Sequence, residues 1–192
     1  MIDIHKAVPI QGWMSNEELI WLAERASEVP AGGLIAEVGC WLGRTTRALI
    51  DNTKADVHSV DNWKGSPEHV EELKDKPKGW LFNCWCRNVV DRLGHNLHVW
   101  ALDSLQAAEL FRHQGLKFDM IFIDAEHDYN AVKLDIKAWS LVLKPGGLIC
   151  GHDYGNSWQC VKDAVDEMLP SAKKVDHPRI CIWYVPSATN PL

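Results

Sequence analysis

The sequence contains no apolar run of 18 residues, no excess of basic side chains and no N-terminal stretch with the features of a signal peptide. The missing apolar run argues against a membrane-spanning helix. The 26 acidic residues outnumber the 20 basic ones and give a net charge of −6, which argues against a nucleic-acid-binding face. We therefore expect a soluble, cytoplasmic protein that contacts neither nucleic acid nor membrane.

The cysteines also lack the spacing that is typical of a zinc site. Six cysteines are present, and several lie inside apolar runs, where a reduced thiol packs as a small hydrophobic side chain. Cys84 and Cys86 form a C-x-C motif, but no second cysteine pair accompanies them at the spacing of a zinc site. We therefore expect no metal role for these two residues.

Short apolar runs alternate with helical patterns along most of the 192 residues. The runs "LIAEVGC", "DVHSVDN", "LHVWALD", "FDMIFIDA" and "GGLICGHDY" suit buried strands. Strands this apolar, with helices between them, predict an α/β fold whose mostly parallel sheet is covered on both faces. Such open sheets bind ligands at the carboxyl ends of their strands, so the chemistry should lie in the turns that follow.

The remaining segments complete a predicted single domain over residues 1–192. A helix is expected over about residues 15–29, with Ser15 as its N-cap and Glu18 three residues later. The runs "AKKVDH" and "RICIWYV" predict a terminal hairpin. Residues 64–80 are polar, charged and contain prolines, which suits either a lid over the site or a solvated surface insertion.

The turn after the first strand, "EVGCWLG", spaces Glu37, Gly39 and Gly43 as E-x-G-x-x-x-G. Glycine lets the backbone approach a ligand closely, and the helix start that follows supplies free N–H groups. The spacing differs from G-x-G-x-x-G, which suits the pyrophosphate of a dinucleotide. It therefore points to a nucleoside cofactor without a diphosphate, although a tight turn alone would also explain the glycines.

Polar residues end the second and third strands as well, namely Asp61, Asp103 and Ser104. An acid about 20 residues after the glycine turn is where nucleotide-binding sheets hold a ribose diol, and a helix or turn cap is the alternative role for Asp61. Ser104 suits a helix cap, while its place beside Asp103 on the same edge also suits contact with an adenine ring.

Acids and histidines follow the next two strands: Asp124, Glu126, His127 and Asp128 after "FDMIFI", and His152 and Asp153 after "GGLICG". Neighbouring strands lie about 4.8 Å apart, so Asp124 and Asp153 could share one ion. Two carboxylates held together without a cation would repel each other, which raises a pKa. The plainer alternatives are a helix N-cap for Asp124 or Asp128, and a satisfied buried imidazole for each histidine.

These motifs resemble those of the class I S-adenosylmethionine-dependent methyltransferases. "IAEVGCWLGRTT" is similar to their first motif, and "SVDNWKG" to the ribose-binding second. "FDMIFIDAEHDYNAVKLDIKAW", "LKPGGLICGHDY" and "GWMSNEELIWLA" resemble one branch, the small bacterial enzymes related to sugar O-methyltransferases of macrolide pathways. The resemblance covers roughly residues 11–185 and implies a Rossmann-like open sheet of seven strands, mostly parallel, with an antiparallel last strand.

The resemblance also implies which residues hold S-adenosylmethionine. Glu37, Gly39 and Gly43 would border its methionine end, Asp61 would hold its ribose, and the turn after the third strand would lie near its adenine. The implied cofactor-binding set is Glu37, Gly39, Cys40, Gly43, Asp61, Asn62, Asp103, Ser104 and Asp124.

In metal-dependent relatives, a carboxylate at the position of Asp124 and an acidic or amide pair at positions 152–153 bind a divalent ion. The resemblance thus implies Asp124, His152 and Asp153 as ligands of Mg²⁺ or Mn²⁺. It implies Asp124 and His127 as catalytic residues, with His127 as the general base. His152 departs from the family pattern, because imidazole is a poorer ligand for Mg²⁺ than for Mn²⁺, iron or zinc.

We therefore expect methyl transfer to a hydroxyl of a small molecule such as a sugar, with a neutral His127 removing the hydroxyl proton near neutral pH. A metal-free enzyme, in which His127 and His152 only shape the acceptor pocket, is the first alternative. A cofactor-binding module without catalysis is the second, and a nicotinamide dehydrogenase, which the glycine spacing disfavours, is the third. Relatives commonly self-associate, so the resemblance leaves homo-oligomer formation open.

Overall fold

The computed structural model describes residues 1–155 and 157–186; residues 187–192 of the predicted domain lie outside the described residues. Within these ranges the strands are β1 (Leu34–Val38), β2 (Asp56–Val60), β3 (Leu97–Trp100), β4 (Phe118–Ile123), β5 (Leu143–Gly151), β6 (Lys173–Lys174) and β7 (Trp183–Tyr184). The helices are α1 (Asn16–Glu28), α2 (Arg44–Ile50), α3 (Val70–Leu73), α4 (Trp80–Val89), α5 (Ser104–His113), α6 (Tyr129–Ser140) and α7 (Gln159–Met168).

One sheet contains all seven of these strands, in the order β3-β2-β1-β4-β5-β7-β6. Strands β1 to β5 pair in parallel, whereas β7 runs antiparallel to both β5 and β6. The predicted Rossmann-like sheet, mostly parallel with an antiparallel last strand, is therefore confirmed. The terminal hairpin is also present, as the β6–β7 pair with Lys173 opposite Tyr184.

Both faces of the sheet are covered because successive side chains of a strand point to opposite sides. Ile35 and Met120 belong to a buried cluster with side chains of α1, α2 and α4. Their neighbours in sequence, Ala36 and Ile121, belong to a second cluster with side chains of α5, α6 and α7. The near-continuous apolar runs of the strands thus follow from burial on two sides.

The carboxyl ends of the five parallel strands meet at one edge of the sheet. From β1 the chain proceeds to β2 and β3 on one side, and then crosses to β4 and β5 on the other. Open α/β sheets bind ligands in the crevice at such a reversal. The ends of β1 and β4, which pair up to Val38 and Ile123, therefore mark the centre of the binding edge.

The segment before α1 is tied to α2 by Arg44. Its guanidinium donates to the backbone carbonyls of Val8 at 2.5 Å, Ile10 at 2.8 Å and Met14 at 3.0 Å. The capping box expected at the start of α1 is present, with Ser15 as the N-cap. Arg44 therefore has a structural role, which is to hold the segment before α1 against α2.

Residues 64–80 contain a 3₁₀ turn at Pro67–His69 and the short helix α3, and they lead into α4. All six cysteines are free thiols. In the part of the chain that the structure describes, no helix has the length and apolarity needed to cross a membrane.

Candidate active site

A cavity of about 970 Å³ opens over the carboxyl edge of the sheet. Its walls come from the turns after β1 to β5, from residues 11–15 and from residues within 65–72. A cavity of this size is typical of a ligand-binding site. The residues selected from the sequence that line it are Gly39, Cys40, Asp61, Asn62, Asp103, Ser104, Asp124, His127, His152 and Asp153. Glu37 and Gly43 are not among the lining residues.

Gly39 turns the chain after β1 and lies directly against the end of β4. Its φ is 88°, in the left-handed region that glycine adopts at no steric cost. A Cβ atom at this position would lie 1.9 Å from the backbone oxygen of Asp124. The glycine is therefore required to bring the turn after β1 against the turn that carries the acids and histidines.

Asp61 lies in the cavity wall, but backbone donors engage its carboxylate. Oδ2 accepts hydrogen bonds from the N–H groups of Cys40 at 2.8 Å and Trp41 at 3.0 Å, and Oδ1 accepts from Trp63 at 2.6 Å. Trp41 and Trp63 have φ values of 47° and 49°, so Asp61 stabilises two unusual turns. Burial raises the pKa of Asp61. Asp61 therefore has the turn-capping role that was the alternative to a ribose contact. A ribose hydroxyl could still donate to the lone pairs of the Asp61 carboxylate that the backbone N–H groups leave free.

Glu37 is placed differently from the expectation that it borders a cofactor. It is fully buried, and its carboxylate accepts hydrogen bonds from the hydroxyls of Thr46 at 2.8 Å and Ser59 at 2.7 Å. Burial raises the pKa of Glu37 to about 7. Because Glu37 is buried and bonds to Thr46 and Ser59, it stabilises the turn after β1 and does not itself line the cavity.

The turn after β3 is joined to that after β2, since Nδ2 of Asn62 donates to Oδ1 of Asp103 at 2.7 Å. The N-cap of α5 is Asp103, with no side-chain capping bond, so of the two roles considered for Ser104 the helix cap is not the one found. The Ser104 hydroxyl instead donates to Oδ1 of Asp135 at 2.5 Å and accepts from Nε1 of Trp139 at 2.9 Å.

Asp135 is a cavity residue that sequence reasoning missed. It is only 4% exposed, lines the cavity, and burial raises its pKa to about 6. It stands on the apolar side of α6, whose buried positions include Val132 and Ile136. An acid inside an apolar helical stripe was therefore the available signal.

The ends of β4 and β5 bring Asp124, His152 and Asp153 together. Nδ1 of His152 lies 3.3 Å from Oδ2 of Asp153 and 3.7 Å from Oδ1 of Asp124. Asp153 has a φ of 61°, a conformation that costs energy outside glycine and is found at functional sites. On the far side of the ring, Nε2 of His152 lies 3.1 Å from Oε1 of Glu18.

These groups shift one another's protonation. Burial raises the pKa of Asp124 to about 6, and the nearby Asp153 adds to the effect. Burial opposes a charge on His152, but the carboxylates of Asp124, Asp153 and Glu18 outweigh it and raise its pKa to about 11. Burial also opposes ionisation of Asp153, yet its hydrogen bonds to His127 and His152 keep its pKa below the usual range.

His127 lies between two carboxylates. Its Nδ1 is 2.5 Å from Oε1 of Glu68 and its Nε2 is 2.9 Å from Oδ2 of Asp153, while its ring stacks on Trp158 at a centroid distance of 4.0 Å. Despite burial, which acts the other way, these carboxylates raise the pKa of His127 to about 9. The expectation of a neutral imidazole near neutral pH is therefore wrong for this arrangement, because two acceptors favour the protonated ring.

The cluster has the composition of a divalent-cation site. Asp124, His152 and Asp153 each offer a ligand atom, and these atoms lie within 4.8 Å of one another. With Glu18 and Glu68, four carboxylates surround the two imidazoles, so negative charge exceeds positive charge even when both rings are protonated. Two carboxylates and one imidazole suit Mn²⁺ or zinc better than Mg²⁺. The residues present thus fit such an ion.

Comparison with known proteins gives a consistent result. Residues 36–154 match a family model described as a methyltransferase domain, whereas no protein of curated function matches the sequence significantly. A candidate O-methyltransferase from Klebsiella pneumoniae superimposes with a TM-score of 0.65 at 16% identity, covering 95% of this chain and 86% of that one. CalS11, a calicheamicin methyltransferase, gives a TM-score of 0.62 at 16% identity, with coverage of 88% and 76%.

An rRNA methylase from Streptococcus thermophilus also superimposes, with a TM-score of 0.60 at 10% identity and coverage of 90% and 96%. Identities this low establish the fold and leave the acceptor undetermined. The family match, by contrast, covers more than half of the chain. The protein therefore belongs to the class I S-adenosylmethionine-dependent methyltransferases.

Proposed function

We propose that this enzyme methylates a hydroxyl group of a small molecule, such as a sugar, with assistance from a divalent cation. The observation that carries this proposal is the contact between the glycine turn and the cluster formed by Asp124, His152 and Asp153, which we call the acidic cluster. Because Gly39 lies against the backbone of Asp124, a cofactor at the turn after β1 would lie beside Asp124, His127 and Asp153. O-methylation also fits CalS11, which is described as a TDP-rhamnose 3′-O-methyltransferase.

The cofactor would lie across the crevice between the strand ends. In this proposal Gly39 and Cys40 adjoin its methionine portion, Asp61 and Asn62 its ribose, and Asp103 and Ser104 its adenine. S-adenosylmethionine supplies a methyl group that its sulfonium already activates. The protein therefore has to align the acceptor oxygen and remove its proton.

The acceptor hydroxyl would meet His127 and the cation-binding cluster. Asp124, His152 and Asp153 would hold a divalent cation, which supplies charge that lowers the pKa of a bound hydroxyl. His127 shares Asp153 with this cluster. A cation held by Asp153 would offset the charge of that carboxylate and so lower the pKa of His127, which would leave Nε2 to accept a proton while Nδ1 stays bonded to Glu68.

The charges around the cavity favour a small acceptor over RNA. The arginines that line it are Arg44 and Arg179. Arg44 donates to backbone carbonyls, and Arg179 bonds to Glu17 at 2.7 Å. Among the described residues that line the cavity, both arginines therefore already bond within the protein and no lysine is present, whereas contacts to a phosphate backbone supply most of the affinity in RNA complexes.

One observation supports a metal-free enzyme as the second candidate. The carboxylates of Asp124, Asp153 and Glu18 stabilise a protonated His152, whose pKa rises to about 11. A protonated His152 neutralises part of the acidic cluster and would take the place of a cation. Chelator treatment separates the two candidates, because only the metal-assisted enzyme would lose methyl transfer.

The proposal is tested by calorimetric titration of the full chain with S-adenosylhomocysteine and, separately, with Mn²⁺. We expect binding of both, with the Mn²⁺ heat lost in Asp124→Asn and in Asp153→Asn. The matched control is Asp128→Asn, since Asp128 lies in the same turn and caps α6, and asparagine caps equally well. Failure of wild type to bind S-adenosylhomocysteine would overturn the cofactor assignment, and loss of the Mn²⁺ heat in the control would overturn the ligand assignment.

A further inference from the structure

Glu18 forms contacts that a helix cap does not require. In a capping box, the acid at this position accepts a hydrogen bond from the backbone N–H of the N-cap residue. Here Oε2 of Glu18 accepts from the N–H of Ser15 at 2.7 Å and from its hydroxyl at 2.9 Å. Glu18 is nevertheless only 3% exposed, so the second oxygen must find partners inside the protein.

That second oxygen reaches the opposite end of the sequence. Oε1 accepts from the N–H of Cys181 at 2.6 Å and lies 3.1 Å from Nε2 of His152. Burial opposes the charge on Glu18, but these bonds outweigh it, and the pKa of Glu18 is lowered. Both oxygens of Glu18 already accept backbone N–H bonds, from Ser15 and from Cys181, so the carboxylate is the acceptor and Nε2 of His152 carries the proton in this contact.

Holding Nε2 determines what the other nitrogen can do. With Nε2 donating to Glu18, Nδ1 of His152 faces Asp153 at 3.3 Å and Asp124 at 3.7 Å. His152 is 8% exposed, and its own N–H is bonded to the carbonyl of Ile123 at 3.1 Å. The ring is therefore enclosed, and Nδ1 is the nitrogen that faces both aspartates.

We infer that Glu18 is a positioning residue, which fixes His152 so that Nδ1 serves as a ligand of a divalent cation held together with Asp124 and Asp153. Carboxylates that bond the second nitrogen of a metal-binding histidine fix its tautomer and orientation, and their loss weakens metal binding by about 10- to 100-fold. The cation takes the place of the proton on Nδ1. This inference rests on the part of the proposed function in which a divalent cation binds, and not on the part in which a methyl group is transferred.

A role limited to holding the fold is distinguishable from this one. If Glu18 only caps α1 and anchors Cys181, its replacement would lower thermal stability and leave intrinsic Mn²⁺ affinity as it is. Ser15→Ala removes the hydroxyl of the cap and keeps the contact between Glu18 and His152. Glu17→Gln changes the neighbouring acid, whose carboxylate bonds to Arg179 at the surface.

The test is the Mn²⁺ dissociation constant of the full chain, measured calorimetrically, with S-adenosylhomocysteine affinity as the check on folding. We expect Glu18→Gln to raise the Mn²⁺ dissociation constant about 10- to 100-fold, with S-adenosylhomocysteine affinity retained. Ser15→Ala and Glu17→Gln should bind Mn²⁺ as wild type does. In a His152→Gln background, the further effect of Glu18→Gln should disappear, because the positioned ring is gone.

Wild-type Mn²⁺ affinity in Glu18→Gln, or an equal loss in Ser15→Ala, would overturn the inference. So would a full effect of Glu18→Gln in the His152→Gln background. If wild type binds no Mn²⁺ but still binds S-adenosylhomocysteine, both this inference and the proposed cation site are wrong. The methyltransferase assignment would then still stand.

Discussion

The imidazole of His127 bonds to Glu68 at 2.5 Å and so joins residues 64–80 to the acidic cluster. The same segment reaches the cavity at two other points. The hydroxyl of Ser66 donates to the carbonyl of Ala125 at 3.5 Å, and the ring of His69 lies 4.4 Å from that of Trp41. These contacts favour the lid role over that of a solvated insertion, and we propose that residues 64–80 close over bound ligands.

The first prediction concerns this lid. Glu68→Gln keeps the size of the side chain and removes its charge, which weakens a charge-assisted hydrogen bond. Because Glu68 is partly exposed, we expect a moderate effect, an increase of about tenfold in the release rate of S-adenosylhomocysteine. Stopped-flow release measures it directly. Glu71→Gln is the matched control, since Glu71 lies on the same segment and pairs with Lys74 at the surface; an equal change in the control would rule out the lid contact.

A second prediction distinguishes two reasons why a glycine is needed, namely its left-handed backbone conformation and the close approach of another part of the chain. Gly39 and Gly32 both have positive φ, 88° and 76°, but a Cβ at Gly32 would meet nothing within 4 Å. Gly32→Ala should therefore show only the cost of the left-handed conformation, about 1–2 kcal/mol. Gly39→Ala adds a clash with Asp124, so we expect a larger loss of thermal stability and loss of S-adenosylhomocysteine binding. Equal melting temperatures for the two variants would contradict this account.

A third prediction uses the buried Glu37. Its pKa is raised from 4.5 to about 7 by burial, so the folded state binds the proton more tightly than the unfolded chain does. The contribution of this group to stability is therefore full below pH 4.5 and is lost as the pH rises through about 7.

The measurement for Glu37 is the melting temperature of wild type and Glu37→Gln across this pH range. We expect the advantage of wild type over the variant to shrink with rising pH, because glutamine carries no titrating proton. Glu24→Gln, on the exposed face of α1, should follow wild type at every pH. A constant difference between wild type and Glu37→Gln would show that Glu37 does not titrate in this range.

Sequence patterns predicted the strand ends well because each is a local change from apolar to polar residues. Asp124, His152 and Asp153 were identified in this way, and the sheet topology then placed them together. Glu18 and Glu68 were missed as site residues because their partners are distant, 134 positions away for Glu18 with His152 and 59 for Glu68 with His127. For the same reason the raised pKa of His127 could not be predicted from the sequence, because it depends on two acids that only folding brings to it.

The last prediction concerns His127 itself. His127→Gln retains a polar side chain but cannot exchange a proton with the acceptor, so we expect methyl transfer to fall by about 10²- to 10⁴-fold for any sugar or polyol that wild type methylates. Binding of S-adenosylhomocysteine should persist, because the proposal places His127 at the acceptor hydroxyl, where it contacts Glu68, Asp153 and Trp158. Transfer of labelled methyl groups and calorimetry measure the two quantities. His69→Gln provides the comparison, since His69 lines the same cavity and packs against the rings of Trp13 and Trp41. If both variants lose activity equally, shape accounts for the effect; if only His127→Gln does, its imidazole acts on the acceptor proton.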